Sequence, residues 1–323
     1  MSAQFKKLTL ADVLSPHTTQ EFVDVLRQCQ TLHIPGSEGK YAELFDRPRF
    51  FQAIENAFKR QHNRGSFQLN AVIPDDIGEG LVTSQPIRME QIEDALQAKA
   101  LICVNDISIG DATLRHLVRQ IETEIGLPGC ARFNAYLSAD GSNTAVHLDN
   151  RATNTLQISG VKRWRFSKRP AVKWPRCNAQ LSADGRGIWV IPGVGQELWE
   201  RLEKTDEAEF VEVTLKPGDF LSLPAGTWHG TETLQESIAL NLSIRPLLLS
   251  EFLLSYLQYV FKGNDEWRSG LPPTADDADS IQYTEKYIKQ QISTLQEYFT
   301  ALGHNPENLI DHWKQWSGRN TGK

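Results

Sequence analysis

The chain lacks most of the features that assign a function class quickly. Its 323 residues contain only four cysteines, Cys29, Cys103, Cys130 and Cys177, widely spaced and without a Cys-x-x-Cys pair. That pattern argues against a disulfide scaffold and against a zinc ribbon. No apolar run approaches bilayer-spanning length, and the opening Met-Ser-Ala-Gln-Phe-Lys-Lys has no apolar signal core. A reducing cytoplasm is the expected location, with no membrane partner. Positive charge is not in excess: 34 Lys and Arg face 40 Asp and Glu, a net charge of −6. A general nucleic-acid binder is therefore not expected. Internal repeats and low-complexity tracts are also absent. One stretch runs against the acidic balance: residues 162–176 carry seven Lys or Arg and no acid. It reads first as a solvated loop, and otherwise as a basic rim that favours an acidic partner.

What is present is an ordinary globular composition, 40% hydrophobic and 23% charged, in a chain long enough for one elaborated domain or two. The texture divides it into three. Residues 1–129 read as mainly helical with some extended segments. Thr18-Thr19-Gln20-Glu21 fits a capping box ahead of Phe22, and 49–60, 89–98 and 111–125 are amphipathic. Residues 100–104 look extended. From 130 to 246 the chain becomes short extended runs broken by Gly, Pro, Asn and Asp. Candidate strands are 131–138, 145–149, 154–159, 163–166, 187–191, 210–215, 220–223 and 237–244. About eight short strands suit a double-sheet jelly roll of the cupin kind. Residues 247–323 return to helix. There Ile281, Ile288, Ile292, Leu295, Phe299 and Leu302 recur at helical spacing. This apolar stripe suits packing on the chain's own barrel or a helix pair across a homodimer. The expected class is α+β: a double-stranded β-helix core flanked by N-terminal and C-terminal helices.

The most informative residues lie in the β region. In a strand, residues two apart point to one face, so His147 and Asp149 would face the same side. His229 follows a turn-rich Pro224-Ala225-Gly226 approach on another strand. Two imidazoles and one carboxylate are the facial triad that holds non-haem Fe(II) with open positions. A His-x-Asp triplet alone arises readily by chance among eight histidines. The other six, His17, His33, His62, His116, His304 and His312, lie outside the β region and read as structural or solvated. Lys162, Trp164 and Phe166 would share one strand face, and a lysine buried among aromatics calls for an anion.

Three segments carry a resemblance: Asn143-Thr-Ala-Val-His-Leu-Asp149, Leu156-Gln-Ile-Ser-Gly-Val-Lys-Arg-Trp164 and Lys216-Pro-Gly-Asp-Phe-Leu-Ser-Leu-Pro-Ala-Gly-Thr-Trp-His229. Over about 130–245 the chain resembles the JmjC-type cupin oxygenases, which use Fe(II), 2-oxoglutarate and O2. Within that group it resembles the bacterial ribosomal oxygenases and the asparaginyl hydroxylase of hypoxia-inducible factor. The resemblance implies that His147, Asp149 and His229 are the metal ligands and catalytic centre. It implies that Lys162, fifteen residues after His147, grips the distal carboxylate of 2-oxoglutarate, with Thr144 assisting. Asn241 matches a polar residue near the metal, and Asn134 and Tyr136 lie where such proteins lend polar groups to the cosubstrate. Arg245, with the strand parity of Asn241, is a rival anchor. The C-terminal helices lack a clear winged-helix pattern. The implied activity is hydroxylation of an unactivated C–H bond, on a protein or peptide side chain or on a small molecule. Substrate would enter past the N-terminal helices and loops at 63–71 and 81–86. Two other classes stay open: a metal-binding cupin enzyme that does not use 2-oxoglutarate, and a non-catalytic cupin binding module.

Overall fold

The structure is a computed structural model that describes residues 8–60, 67–73, 83–127, 129–181, 187–190, 206–245, 248–268, 270 and 278–319. It divides into two compact units, Met1–Pro246 and Leu247–Lys323.

The first unit opens with two capped helices. In each, a threonine hydroxyl accepts an N3 backbone N–H, and an N3 carboxylate accepts the cap's own N–H. Thr9 and Asp12 do this for Leu10–Leu14 (α1), and Thr18 and Glu21 for Thr19–Arg27 (α2). Leu32–Ile34 (β1) follows, then Arg47–Arg60 (α3), whose Phe50, Ala53, Ile54 and Ala57 form its buried face. Gln68–Ile73 (β2) and Thr83–Pro86 (β3) are paired strands. The expected entrance loops are therefore strands where they are described, and 63–66 and 81–82 lie outside the described residues. A single 3-10 turn leads into Ile92–Gln97 (α4), then Leu101–Asn105 (β4). Ala112–Ile125 (α5) is capped by Asp111, whose carboxylate accepts the Leu114 N–H at 2.9 Å, and ends on Gly126 at φ +68°.

The remaining strands build the core. They are Ala131–Ser138 (β5), Asn143–Leu148 (β6), Ala152–Phe166 (β7), Asn178–Leu181 (β8), Gly187–Val190 (β9), Val211–Leu215 (β10), Phe220–Leu223 (β11) and His229–Ile244 (β12). Every pairing is antiparallel, and β7 and β12 run side by side through the middle. Each changes neighbours halfway. The first part of β7 pairs with β11 and its end with β10, while the first part of β12 pairs with β6 and its end with β5. Two long strands shared between two sheets are what folds one hydrogen-bonded system into a double-stranded β-helix. The flanking strands β1, β2, β3 and β4 extend one of these sheets.

The bend has a local cause. Gly160 sits at φ +66°, where an added Cβ would lie 1.9 Å from the Glu236 carbonyl oxygen. Opposite it, the β7–β12 register slips between Thr233 and Ala239. A left-handed glycine against a bulge turns the paired strands without breaking them. Segments 154–159 and 163–166, read as two strands from sequence, are thus one continuous β7.

The second unit holds Leu249–Gly263 (α6), Ala278–His304 (α7) and Glu307–Arg319 (α8). An aromatic cluster ties α6 to α8: Phe252 lies 4.9 Å from Trp313, centroid to centroid, and Tyr256 lies 5.2 Å from His312. The Tyr256 and Tyr298 hydroxyls bond at 2.7 Å, joining α6 to α7. On α7, Ile281, Ile288, Ile292 and Phe299 remain 41–58% exposed. No helix among the described residues is long and apolar enough to cross a membrane.

Candidate metal centre

Strand pairing brings the two histidines together. His147 on β6 stands directly opposite His229 at the start of β12, and their ring centroids are 4.3 Å apart. Asp149 follows β6 immediately, two residues on and facing the same side. Ligand atoms of His147, Asp149 and His229 all lie within 4.8 Å of one another, with His229 Nε2 3.9 Å from Asp149 Oδ2.

Both rings are oriented by their own backbone. Nδ1 of His147 lies 2.9 Å from the Ala145 carbonyl, and Nδ1 of His229 lies 2.9 Å from the Thr227 carbonyl. A carbonyl only accepts, so each Nδ1 carries the proton and each Nε2 presents a lone pair to the shared space. The Thr153 hydroxyl donates to Asp149 Oδ2 at 3.2 Å and fixes the carboxylate. Burial, and then the charge of His147, push His229 down to about 4, against smaller opposing effects of Asp149 and the Thr227 carbonyl. The ring is therefore neutral at ordinary pH, as a metal ligand must be. Donor set, tautomers and convergence all fit a divalent metal held on one face, with positions open toward a cavity.

The approach to His229 is anchored on both sides. Trp228, pointing the opposite way, is fully buried against Leu148, Ala179 and Leu181. Gly226, at φ +82°, donates its N–H to the Asp149 carbonyl at 2.8 Å, linking the two ligand-bearing segments. A Cβ there would lie 1.8 Å from the Val172 carbonyl oxygen. Gly226→Ala is expected to cost roughly 2–5 kcal/mol from left-handed strain and overpacking. Chemical denaturation would measure it, together with weakened metal binding.

The triad lies on the wall of a cavity of about 300 Å³, also lined by Thr144, Lys162, Trp164, Tyr136 and Asn241. Lys162 stands opposite Leu215 of β10 and Thr233 of β12 and is 3% exposed. Its β7 neighbours alternate as expected: Trp164 and Phe166 are buried, while Arg163 and Arg165 face out and pair with Glu232 and Glu212. Burial pushes the Lys162 ammonium down to about 8, opposed only by Cys103. No carboxylate among the described residues pairs with it. The Tyr136 phenol, bonded to Asn241 and Cys103, is held protonated, chiefly by burial. The Thr144 hydroxyl bonds that of Thr231 at 3.0 Å.

Two residues named from sequence lie elsewhere. Asn134 does not line this cavity; its side-chain oxygen accepts the Asp106 N–H at 3.0 Å, and it faces a neighbouring cavity. Arg245 is not among the lining residues either. The cavity also takes in Thr153, Thr231, Trp164 and Cys103, beyond the site residues expected from sequence. Trp164 stacks on His229, centroids 5.7 Å apart. Strand parity identifies Thr231, two residues beyond His229, but Cys103 comes from β4, outside the expected core.

Comparisons with known proteins agree with this geometry. The chain is 23% identical to the uncharacterized protein YxbC of Bacillus subtilis, over 93% of this chain and 90% of that protein. It is 24% identical to the ribosomal protein uL16 3-hydroxylase of Escherichia coli, over 56% of this chain but only 41% of that protein. Among solved structures, E. coli YcfD superposes with a TM-score of 0.58 at 17% identity, covering 93% of this chain and 71% of that one. YcfD, described as a ribosomal oxygenase in complex with cobalt and 2-oxoglutarate, gives a TM-score of 0.55 at 19% identity, over 94% and 71% of the two chains. At these identities the superpositions establish the fold. A family model described as the JmjC domain matches residues 114–252, a stretch that contains β5 to β12 and all three residues of the triad.

Proposed function

We propose that this chain is an Fe(II)- and 2-oxoglutarate-dependent oxygenase that hydroxylates an unactivated C–H bond of a protein or peptide side chain. One observation carries the reading: two Nε2 lone pairs and a fixed carboxylate converge on a cavity that is also lined by a buried lysine with no acid partner among the described residues. A metal alone would not explain that lysine, but a metal-bound dicarboxylate does. The names of the uL16 3-hydroxylase and of the cobalt and 2-oxoglutarate complex of YcfD support the same chemistry and a protein substrate.

His147, Asp149 and His229 would hold the iron, leaving one face open. Iron with 2-oxoglutarate supplies oxidative decarboxylation coupled to hydroxylation. Lys162 would neutralise the distal carboxylate, assisted by the Thr144 hydroxyl, and the neutral Tyr136 phenol and Asn241 amide would supply hydrogen bonds nearby. Trp164, stacked on His229, would exclude water from the ligand ring. The reading is tested by succinate formation from 2-oxoglutarate in the absence of any other substrate: it should require Fe(II) and disappear when Fe(II) is chelated.

A pH dependence follows from Lys162. Its ammonium is the binding form and is lost above about 8. Affinity for 2-oxoglutarate should be flat from pH 6 to 7.5 and then weaken about tenfold per pH unit well above 8. Binding titrations across that range would check it, and an affinity that holds to pH 10 would contradict the role of Lys162.

The exposed apolar stripe of α7 supports a second element of the reading, a homodimer formed through the C-terminal helices. Light scattering should give twice the mass of the chain, falling to one chain in Ile288→Glu/Ile292→Glu.

A further inference from the structure

We infer that the substrate group this site accepts is an anion, a carboxylate held by Arg132 and Arg151. The inference rests on the proposed function and deepens it by naming the substrate class. A second cavity of about 440 Å³ adjoins the first and shares Tyr136, Asp149, Thr153, Asn178 and Asn241 with it. It is therefore a route by which a substrate reaches the open face of the metal. Two guanidinium groups line it. Arg132 alternates with Asn134 and Tyr136 along β5, so all three point inward. Arg151 lies two residues beyond Asp149. Neither arginine makes an ion pair among the described residues, and the Arg132 Nε is buried without a hydrogen-bond partner.

Asp149 is the one carboxylate among the described lining residues, and a bound metal would claim its charge. The cavity then holds uncompensated positive charge in a partly desolvated place. A lysine or arginine side chain entering it would add repulsion. A carboxylate would complete the pairing, since the planar guanidinium matches it with two parallel hydrogen bonds. The uncharged amides of Asn105, Asn150 and Asn178 line the same space. The carboxylate could belong to an acidic residue of a protein or to a small acid; the chemistry of recognition is shared.

The test uses the anaerobic Fe(II)- and 2-oxoglutarate-loaded protein. Its probes are acetylated and amidated glycine pentapeptides with a central Asp, Glu, Lys, Arg or phosphoserine, and free aspartate and glutamate. Binding is read as a shift of the visible band that 2-oxoglutarate gives on chelating Fe(II). Central Asp or Glu should act at concentrations at least tenfold below central Lys or Arg. That preference should fall below threefold in Arg132→Gln/Arg151→Gln and keep its sign in Arg132→Lys/Arg151→Lys. Acidic peptides acting below the free amino acids would identify a protein substrate, and the reverse order a small acid; either supports the inference. Equal or better action of the basic peptides, a preference for phosphoserine, survival of the preference in the glutamine double variant, or a band that no probe perturbs would overturn it. If the band never forms, the proposed function itself fails and takes this inference with it.

Discussion

Lys162→Met is expected to raise the 2-oxoglutarate concentration for half-saturation by about a hundredfold or more, and to make the protein more stable when no cosubstrate is present. The two effects have one cause. Lys162 is 3% exposed on the face it shares with Trp164 and Phe166, and no acid among the described residues offsets its charge. A drop in the ammonium's pKa from its ordinary 10.5 to about 8 corresponds to roughly 3 kcal/mol of burial cost at neutral pH. Sign follows from linkage: the unfolded chain binds more protons between pH 8 and 10.5, so stability rises with pH across that window. Methionine fills similar space without the charge and should recover most of the cost. It also leaves the distal carboxylate of 2-oxoglutarate buried without a partner, a loss typically of 2–5 kcal/mol. Thermal melts without cosubstrate and binding titrations would measure the two halves. A residue kept at the expense of stability is the signature of a binding role. A variant that is destabilised, or that binds 2-oxoglutarate normally, would contradict it.

Removing a metal ligand should have the larger effect on activity. Asp149→Ala and His229→Ala are each expected to reduce Fe(II) affinity by on the order of a thousandfold and to abolish succinate formation. Loss of an outer-shell partner alone costs 10–100-fold, and under the proposed function these residues would supply donor atoms directly. The two variants differ in the protein without metal. Asp149→Ala removes a carboxylate that lies beside two imidazoles and should leave the fold intact. His229→Ala empties a buried position between His147 and Trp164 and should cost about 2–4 kcal/mol. Metal titration with melting curves separates these expectations, and activity surviving in either variant would remove the triad from the chemistry.

The site was more legible in the sequence than the sheet that carries it. His147, Asp149 and Lys162 declare themselves through strand parity, because a period of two decides which residues share a face wherever one face is buried. His229 is marked by Pro224-Ala225-Gly226, since the Gly226 turn needs a left-handed residue packed against backbone. The capping box at Thr18 is similarly plain. Strand length is not. Gly160 reads as a break, because its φ is invisible in one dimension and the bulge opposite it is set by β12 rather than by β7. The strands β2 and β3 look like loops in the sequence, since the pairing of β2 with β3 and with β4 is the tertiary contact that makes them strands. For the same reason Cys103, brought to the cavity by β4, carried no local signal. Asn134 kept the predicted strand and parity, yet its amide is committed to Asp106.

Anaerobic titration of 2-oxoglutarate into the Fe(II)-loaded protein tests the account most directly. It joins the triad and the lysine in one observable, the visible band that appears only when the cosubstrate chelates iron in this cavity. A saturable band in the native chain is expected, displaced to about hundredfold higher 2-oxoglutarate in Lys162→Met and absent in Asp149→Ala. A native chain that binds Fe(II) fully and shows no band at any 2-oxoglutarate concentration would contradict the central claim.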